Sequence, residues 1–429
     1  MHLKNELEQR WFLYQSTSDE LFDIYNKGNE TLYFWCDPTA KSLHLGNFVV
    51  FMNAVNFMKR HNKLILIVWG ATGMIGDPSG KEADRNFLDD ETLNGNVEAI
   101  KTQVWWILKN LATLSGVDFQ FEVINNKDFY TDMSYLGFLR EVWKYITVNQ
   151  MMAKETVKKR IEDPDKSISY TEFSYMLLQG YDFVRLYSDK GCKLQISGSD
   201  QWGNIVTGIE LIKKKLDGEA YGMTSPLILD SSGKKFGKSE GNALWLNSTM
   251  TTPFKVYQYF MNVSDEDVSR FLRLFTLLPL PDIDNIVQKH SENLAERFGQ
   301  SELAKYVTET IHGKVAMETA VKVTEFLFGE GDKLERLKEL TSGEIEAVGN
   351  ETGLFRLENQ DMSIIDALVN SGLEVSRGDA KKSITAGAIY LNEEKVEDVG
   401  GIVDMNSAIN ECLILRKWKK NFRVLVRKV

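Results

Sequence analysis

Two stretches of this chain hold residue types that suit chemistry on phosphate. The first is Asp37-Pro38-Thr39-Ala40-Lys41-Ser42-Leu43-His44-Leu45-Gly46-Asn47. Ahead of it, Thr31 to Cys36 is a short apolar run rich in aromatics and reads as a buried strand. Behind it, Phe48, Phe51, Met52, Val55 and Met58 recur at helical spacing up to Arg60. The stretch is thus a strand-to-helix turn that puts His44, Gly46 and Asn47 at a helix start. Backbone N–H groups and the positive end of the helix dipole suit phosphate there. Gly46 has no side chain, so a flat base can lie against the backbone. Read alone, the segment fits an ordinary helix entry equally well. The second stretch is Ser232-Gly233-Lys234-Lys235-Phe236-Gly237-Lys238-Ser239, a glycine-punctuated loop with Lys235 and Lys238 three apart. Read alone, it is a solvated basic loop.

The elements around these stretches form an alternating series. Lys63 to Trp69 is a continuous apolar run, as expected for a central parallel strand. It opens into Gly70-Ala71-Thr72-Gly73-Met74-Ile75-Gly76-Asp77-Pro78-Ser79-Gly80, a loop whose glycines let backbone approach a ligand closely. Glu91 to Leu114 has the pattern of a long amphipathic helix, and Asp118 to Ile124 that of a strand closed by Asn125-Asn126. Residues from about 130 to 190 are helical in pattern. There Tyr175, Gln179 and Asp182 share one helix face, a polar wall suited to a small ligand. Cys192 to Ile196 is a further strand, running into Ser197-Gly198-Ser199-Asp200-Gln201-Trp202-Gly203-Asn204. Asp200 there fits a ribose-binding carboxylate or a plain helix cap. Alternation of this kind gives a doubly wound α/β domain with its ligand cleft along the carboxyl ends of the strands. Thr252 to about Asn359 reads as a helical connector, with a linker at Ser342-Gly343 to Gly353. From Asp361 the pattern is a small α+β unit with helices at 364–370 and 377–386. There is no internal repeat.

Composition narrows the class. A chain of 429 residues allows two to three domains, and an apolar fraction of 43% supports full cores. No apolar run approaches a membrane span, and the start Met1-His2-Leu3-Lys4-Asn5-Glu6 lacks the features of a secretory signal or transit peptide. Cys36, Cys192 and Cys412 are far apart in sequence, which indicates neither a disulfide framework nor a zinc site. An intracellular, cytoplasmic protein is expected. The net charge of −10 argues against binding nucleic acid over the whole surface, DNA included. Yet Arg416, Lys417, Lys419, Lys420, Arg423, Arg427 and Lys428 give seven positive charges in the last fourteen residues, with no acid among them. That patch fits local RNA contact or a solvated tail.

Taken together, His44-Leu45-Gly46-Asn47 and Lys235 to Ser239 resemble the paired ATP signatures of class I aminoacyl-tRNA synthetases. Over essentially the whole chain the resemblance is to the tyrosyl-tRNA synthetase family of bacterial and organellar type. It rests on Asp37-Pro38-Thr39-Ala40, Ser42-Leu43-His44, Gly73 with Ile75 to Gly80, Val148-Asn149 with Met151 to Glu155, Thr171 to Asp182, Gly198 to Asn204 and Lys235 to Ser239. The last unit, with Ser376-Arg377-Gly378 and Lys381-Lys382, resembles the small RNA-binding domain that this family shares with a ribosomal small-subunit protein. The resemblance implies a Rossmann-like catalytic domain over 1–225 with an inserted helical dimerisation segment at about 125–190. It further implies a lysine loop and helical anticodon-side domain over 226–350, and an RNA-binding domain over 361–429.

By the same resemblance, Tyr33 and Asp182 hold the phenolic hydroxyl of L-tyrosine, Asp77, Tyr175 and Gln179 its ammonium, and Gln195 and Asn126 brace them. Gly198, Asp200 and Gln201 serve the adenylate ribose and carboxylate. Thr39, His44 and Asn47 grip ATP phosphates, with Asp37 nearby and Gly46 under the adenine. Lys81, Arg85, Lys235 and Lys238 clamp pyrophosphate. Arg377, Lys381, Lys382, Arg416, Lys417, Lys419 and Lys420 meet tRNA(Tyr). ATP acts as a substrate with Mg2+, no structural metal is expected, and the chain forms a homodimer. Four positions depart from the family pattern. Phe34, Trp35 and Trp69 stand where small residues or glycine are usual, and Asn47 stands where a second histidine is common. The alternatives are a tryptophanyl-tRNA synthetase and an inactive synthetase-like RNA binder.

Overall fold

The computed structural model describes residues 1–36, 38, 40–71, 89–163, 167–229, 238–239, 242–329, 331–357, 361–418 and 421–427. Its chain divides into two compact units. One comprises residues 1–252 and 259–311, the other 253–258 and 312–429.

The first unit is built on a six-stranded sheet of β1 (Gln15–Ser16), β2 (Thr31–Cys36), β3 (Lys63–Val68), β4 (Phe121–Asn125), β5 (Leu194–Gly198) and β6 (Tyr221–Ser225), in the order β1-β6-β5-β2-β3-β4. All neighbours are parallel except β1, which pairs antiparallel with β6. The chain winds outward from β2 through β3 to β4, then returns to the other side of β2 with β5. The order therefore reverses between β2 and β5, and a crevice at their carboxyl ends is the expected ligand site of such a sheet. β2 and β3 are buried on both faces, which is why both read as unbroken apolar runs.

Helix Leu45–Met58 follows β2 and is buried almost all round, including Asn53 and Asn56. Helix Asp90–Ser115 is capped by Asp89 and ends at Gly116 with φ 68°. Between β4 and β5 run short helices, Tyr135–Glu141, Val148–Met152 and Glu155–Ile161, and then the long helix Tyr170–Lys190. Ser169 and Glu172 cap that long helix reciprocally, and Gly191 closes it with φ 63°. It lies against helix Trp202–Leu216, where Gly180 and Gly208 meet. A Cβ at Gly180 would fall 2.8 Å from Leu211.

The second unit pairs helices with a five-stranded sheet in which Leu354–Leu357 runs parallel to Asn421–Arg427. The glycine-bearing run at 342–353, which local sequence marks as a linker, is in fact helix Ser342–Thr352. Thr341 and Glu344 form its capping box, and Gly353 at φ 118° ends it. Ile345 and Val348 are drawn into a core with Ile414, Phe422 and Val424, and that burial overrides the local glycine signal.

The amino-terminal helix Leu3–Gln9 is fastened by a buried charge cluster. Glu6 accepts from Arg10 Nε (3.1 Å), Lys59 Nζ (2.8 Å) and Arg60 Nη2 (2.8 Å). Arg10 also donates to the carbonyls of Arg273, Thr276 and Leu278. Burial alone would raise the Glu6 carboxyl, but Lys59, Arg60 and Arg10 outweigh it and bring it down to about 2. A carboxyl depressed in the folded state stabilises the fold above its unfolded value, near 4.3, and that share is lost as pH falls toward 2. Glu6→Gln is expected to cost about 3 kcal/mol at pH 7, because three cations lose their buried partner. Urea midpoints of variant and parent should converge as pH is lowered toward 2.

Candidate active site

At the carboxyl end of β2, His44 caps helix Leu45–Met58. Its Nδ1 accepts the Asn47 backbone N–H at 3.1 Å, while Asn47 Oδ1 accepts the His44 N–H at 3.2 Å. With Nδ1 accepting, the neutral imidazole carries its proton on Nε2. Asn47 keeps its amide N–H2 as a donor. A Cβ at Gly46 would sit 2.9 Å from His44 Cε1, so the imidazole and the bare backbone are in contact there.

The lysine loop is tied to this helix start by backbone. Leu45 N–H donates to Leu244 O (2.8 Å), and Leu246 N–H donates to Leu43 O (2.9 Å). His44 bridges to Trp245, and their rings meet edge-on with centroids 6.1 Å apart. The Ser42 side chain adds to this joint: its Oγ accepts the Asn247 N–H at 3.0 Å. Just ahead of the joint, Lys238–Ser239 pairs antiparallel with Asn242–Ala243. The segment that follows the second signature, about two hundred residues on, is thus held beside the first by hydrogen bonds. Asp37, Thr39, Asp77, Lys81, Arg85 and Lys235 lie outside the described residues, as does the side chain of Lys238.

Below this mouth lies a buried polar floor. Asp182, on helix Tyr170–Lys190, accepts from Asn126 Nδ2 (2.9 Å) and from Tyr130 Oη (2.8 Å). Asn126 Oδ1 in turn accepts the Ala71 N–H (2.9 Å), linking the floor to the glycine loop after β3. Burial pushes the Asp182 carboxyl up to about 7, against the Asn126 and Tyr130 hydrogen bonds that favour its charged form. Tyr33 stands opposite Gln195 across the β2–β5 pairing, and both are buried. The Tyr33 hydroxyl, both ends of the Gln195 amide and Gln179 Nε2 have no hydrogen-bond partner among the described residues. Leaving such groups unmatched costs about 1–3 kcal/mol each. Several in one place mark a surface completed by a polar ligand.

Gln179 Oε1 accepts from Asn204 Nδ2 (2.9 Å), which also donates to Gln201 Oε1 (2.9 Å). Gln201 Nε2 reaches Asp200 (3.3 Å), and a Cβ at Gly198 would fall 2.7 Å from the Asp200 carboxylate. Tyr175 is buried beside them, its ring edge against Trp69 at 5.4 Å. The structure thus brings Tyr33, Asn126, Tyr175, Gln179, Asp182 and Gln195 into one buried region. Gly198, Asp200 and Gln201 form a second turn beside it.

Sequence reading missed Tyr130 and Asn204. Asn204 closes the Gly198–Asn204 motif but was given no role there, Tyr130 sits in no motif, and only the folding of residues 126–130 under the long helix brings Tyr130 to Asp182. In the second unit Arg377, Lys381 and Lys382 are exposed on helix Arg377–Thr385. Arg416 is instead paired with Glu393 (2.6 Å) and lies 3.9 Å over the Tyr390 ring, and Lys417 pairs with buried Glu374. Lys419 and Lys420 lie outside the described residues.

A parallel sheet with its switch point between β2 and β5, and a helix start capped by His44 at the end of β2, fit the fold of a class I tRNA synthetase. The family model for class I tRNA synthetases of the tryptophan and tyrosine group matches residues 26–329. That for the tyrosine–tRNA ligase carboxyl-terminal domain matches residues 344–425. The chain belongs to the tyrosine–tRNA ligase family. It is 42% identical over 428 residues to the tyrosine–tRNA ligase of Streptococcus gordonii, covering 99% of this chain and 100% of the relative. It is 41% identical to tyrosine–tRNA ligase 1 of Streptococcus thermophilus, with the same coverage. Among solved structures, a carboxyl-terminally truncated mitochondrial tyrosyl-tRNA synthetase of Aspergillus nidulans superposes with a TM-score of 0.70 at 27% identity. That match covers 76% of this chain and 94% of the other. No described helix is long and apolar enough to cross a membrane.

The raised Asp182 carboxyl has a definite stability consequence. It holds a proton in the folded state up to about pH 7, whereas the unfolded group releases it near 3.9. Its contribution to stability therefore falls as pH rises between those values. The difference in thermal midpoint between Asp182→Asn and its parent should shift in favour of the variant from pH 5 to pH 8.

Proposed function

We propose that this chain activates L-tyrosine with ATP and then charges tRNA(Tyr). The observation that carries the reading is the buried polar floor of Tyr33, Asp182 and Gln195 beside a helix start built for phosphate. In the first step the tyrosine carboxylate attacks the α-phosphorus of ATP. The bond to the β-phosphate oxygen breaks and pyrophosphate leaves. In the second, a hydroxyl of the terminal adenosine of tRNA attacks the tyrosyl carbonyl, and AMP leaves.

The residues divide the work by position. Tyr33 and Asp182 take the phenolic hydroxyl, and Tyr175, Gln179 and Asp77 the ammonium. Asn126 and Gln195 hold these groups in place. Gly198, Asp200 and Gln201 take the ribose and the carboxylate. His44 Nε2–H, Asn47 and Thr39 donate to the phosphates, the backbone at Gly46 lies under the adenine, and Asp37 stands beside them. Lys81, Arg85, Lys235 and Lys238 meet the departing pyrophosphate. ATP enters as its Mg2+ complex, so the metal is part of the substrate. The step needs oriented donors where negative charge develops, and no covalent nucleophile. Phenylalanine would leave the floor's hydroxyl and amide unmatched. That supports strong discrimination against it, and tyrosyl-tRNA synthetases as a class reach about 10⁵.

Exposed Arg377, Lys381 and Lys382 support tRNA contact by the carboxyl-terminal unit. We place the catalytic domain at 1–225, the lysine loop and helical domain at 226–350 and the RNA-binding domain at 361–429. The inserted helices expose Tyr135, Leu136, Val148, Met152 and Ile161, with Leu136 74% exposed, which supports a homodimer formed through this segment. The buried thiols of Cys36, Cys192 and Cys412 suit the cytoplasm.

Pyrophosphate exchange is expected to depend on tyrosine and not on tryptophan or phenylalanine; exchange driven by tryptophan would overturn the assignment. Lys238→Ala should lower the activation rate tenfold or more with tyrosine affinity little changed, as for loss of a donor that acts in the transition state. Leu136→Glu should convert the dimer to a monomer by light scattering.

A further inference from the structure

Trp35 lies two residues beyond Tyr33 on β2, so both side chains point to one face of the sheet. That face is covered by Tyr175 and Phe183 of the long helix, through the Trp69 and Tyr33 rings respectively. Two residues of strand advance about 6.6 Å, the scale of a tyrosine side chain. A tyrosine lying along β2 with its phenol on the Tyr33 floor would bring its carboxylate toward the level of Trp35.

The Trp35 ring is stacked on Trp69, with centroids 3.4 Å apart and planes 13° from parallel. Trp69 is 1% exposed and is itself wedged against Tyr175. The stack fixes the Trp35 ring. It does not use the indole N–H, and a phenyl ring would stack as well. Yet Trp35 Nε1 is buried and has no hydrogen-bond partner among the described residues. A buried indole N–H normally finds an acceptor. It stands in the same region as the unmatched Tyr33 hydroxyl and Gln195 amide.

Resting on the activity proposed above, we propose that the Trp35 indole N–H donates a hydrogen bond to an anionic oxygen at the carboxylate–phosphate junction of the bound tyrosyl adenylate, with Trp69 as the residue that positions the ring. The donor acts where charge develops during activation.

The test is made on the full-length protein. Trp35→Phe keeps an aromatic stack and deletes only the N–H. Tyrosine-dependent pyrophosphate exchange should fall about tenfold in kcat with KM for ATP near the parent value. Affinity for the sulfamoyl analogue of tyrosyl adenylate should fall by a similar factor. Independently of folding of the variant, the indole resonances of the 15N-labelled parent report the bond. The Trp35 indole resonance, assigned in the parent from its through-space contacts with the stacked Trp69 ring, should move downfield when the sulfamoyl analogue binds. Unchanged exchange and affinity in Trp35→Phe, or an unmoved Trp35 resonance with the analogue bound, overturn the donor and leave the activity standing. A parent inert toward tyrosine overturns both.

Discussion

A carboxylate sunk in an apolar core, with amide and hydroxyl donors rather than a counter-cation beside it, sets the terms for the rest of this molecule. Asp182 is buried, and its two oxygens are met by Asn126 and Tyr130. Burial shifts it toward neutrality, so small changes around it move its charge. Such a group persists only where packing is firm enough to exclude water and keep both donors aimed. The long helix Tyr170–Lys190 supplies that firmness, sealed at both ends by caps and seated on helix Trp202–Leu216 through Gly180 and Gly208. The unmatched Tyr33 and Gln195 groups are the counterpart. The fold bears their cost without a ligand, and the polar groups of a bound ligand would offset it.

The helix start at His44, to which we assign the phosphates, obeys a different constraint. Donors for a transition state must stand close together, yet no single loop carries them. The parallel sheet solves part of this by ending β2 and β5 at the same crevice. The remainder depends on backbone pairing of Leu43 and Leu45 with Leu244 and Leu246, which holds the segment after the lysine signature at the helix start. His44 then has two duties. Its Nδ1 completes the helix cap, and that bond sets the tautomer that leaves Nε2 as the donor.

The carboxyl-terminal unit shows how charge and role part company. Arg416 belongs to the most basic stretch of the chain, but Glu393 and the Tyr390 ring hold it against the sheet. Lys417 is likewise committed to Glu374. Arg377, Lys381 and Lys382 on helix Arg377–Thr385 stay exposed, Arg377 beside Asp366 (2.9 Å), and within the basic stretch Arg427 is exposed as well. Partners distant in sequence decided which positive charges face solvent.

What the amino-acid order alone determined was the strand and helix series, the two phosphate signatures and the shared face of Tyr175, Gln179 and Asp182. These follow from spacing within a few turns or one strand, which periodicity reports directly. The family likeness named the partners of each, residue by residue. Only the tertiary structure could show Tyr130 on Asp182, Asn204 between Gln179 and Gln201, and the glycine-bearing stretch at 342–352 as helix. Each depends on contact between segments far apart in the chain, which no local pattern encodes. The indole pair was visible as two unusual tryptophans, at 35 and 69. That they stack on one another was decided by strand register: β2 and β3 run parallel with Trp35 opposite Ile67, and that alignment lets the two rings meet.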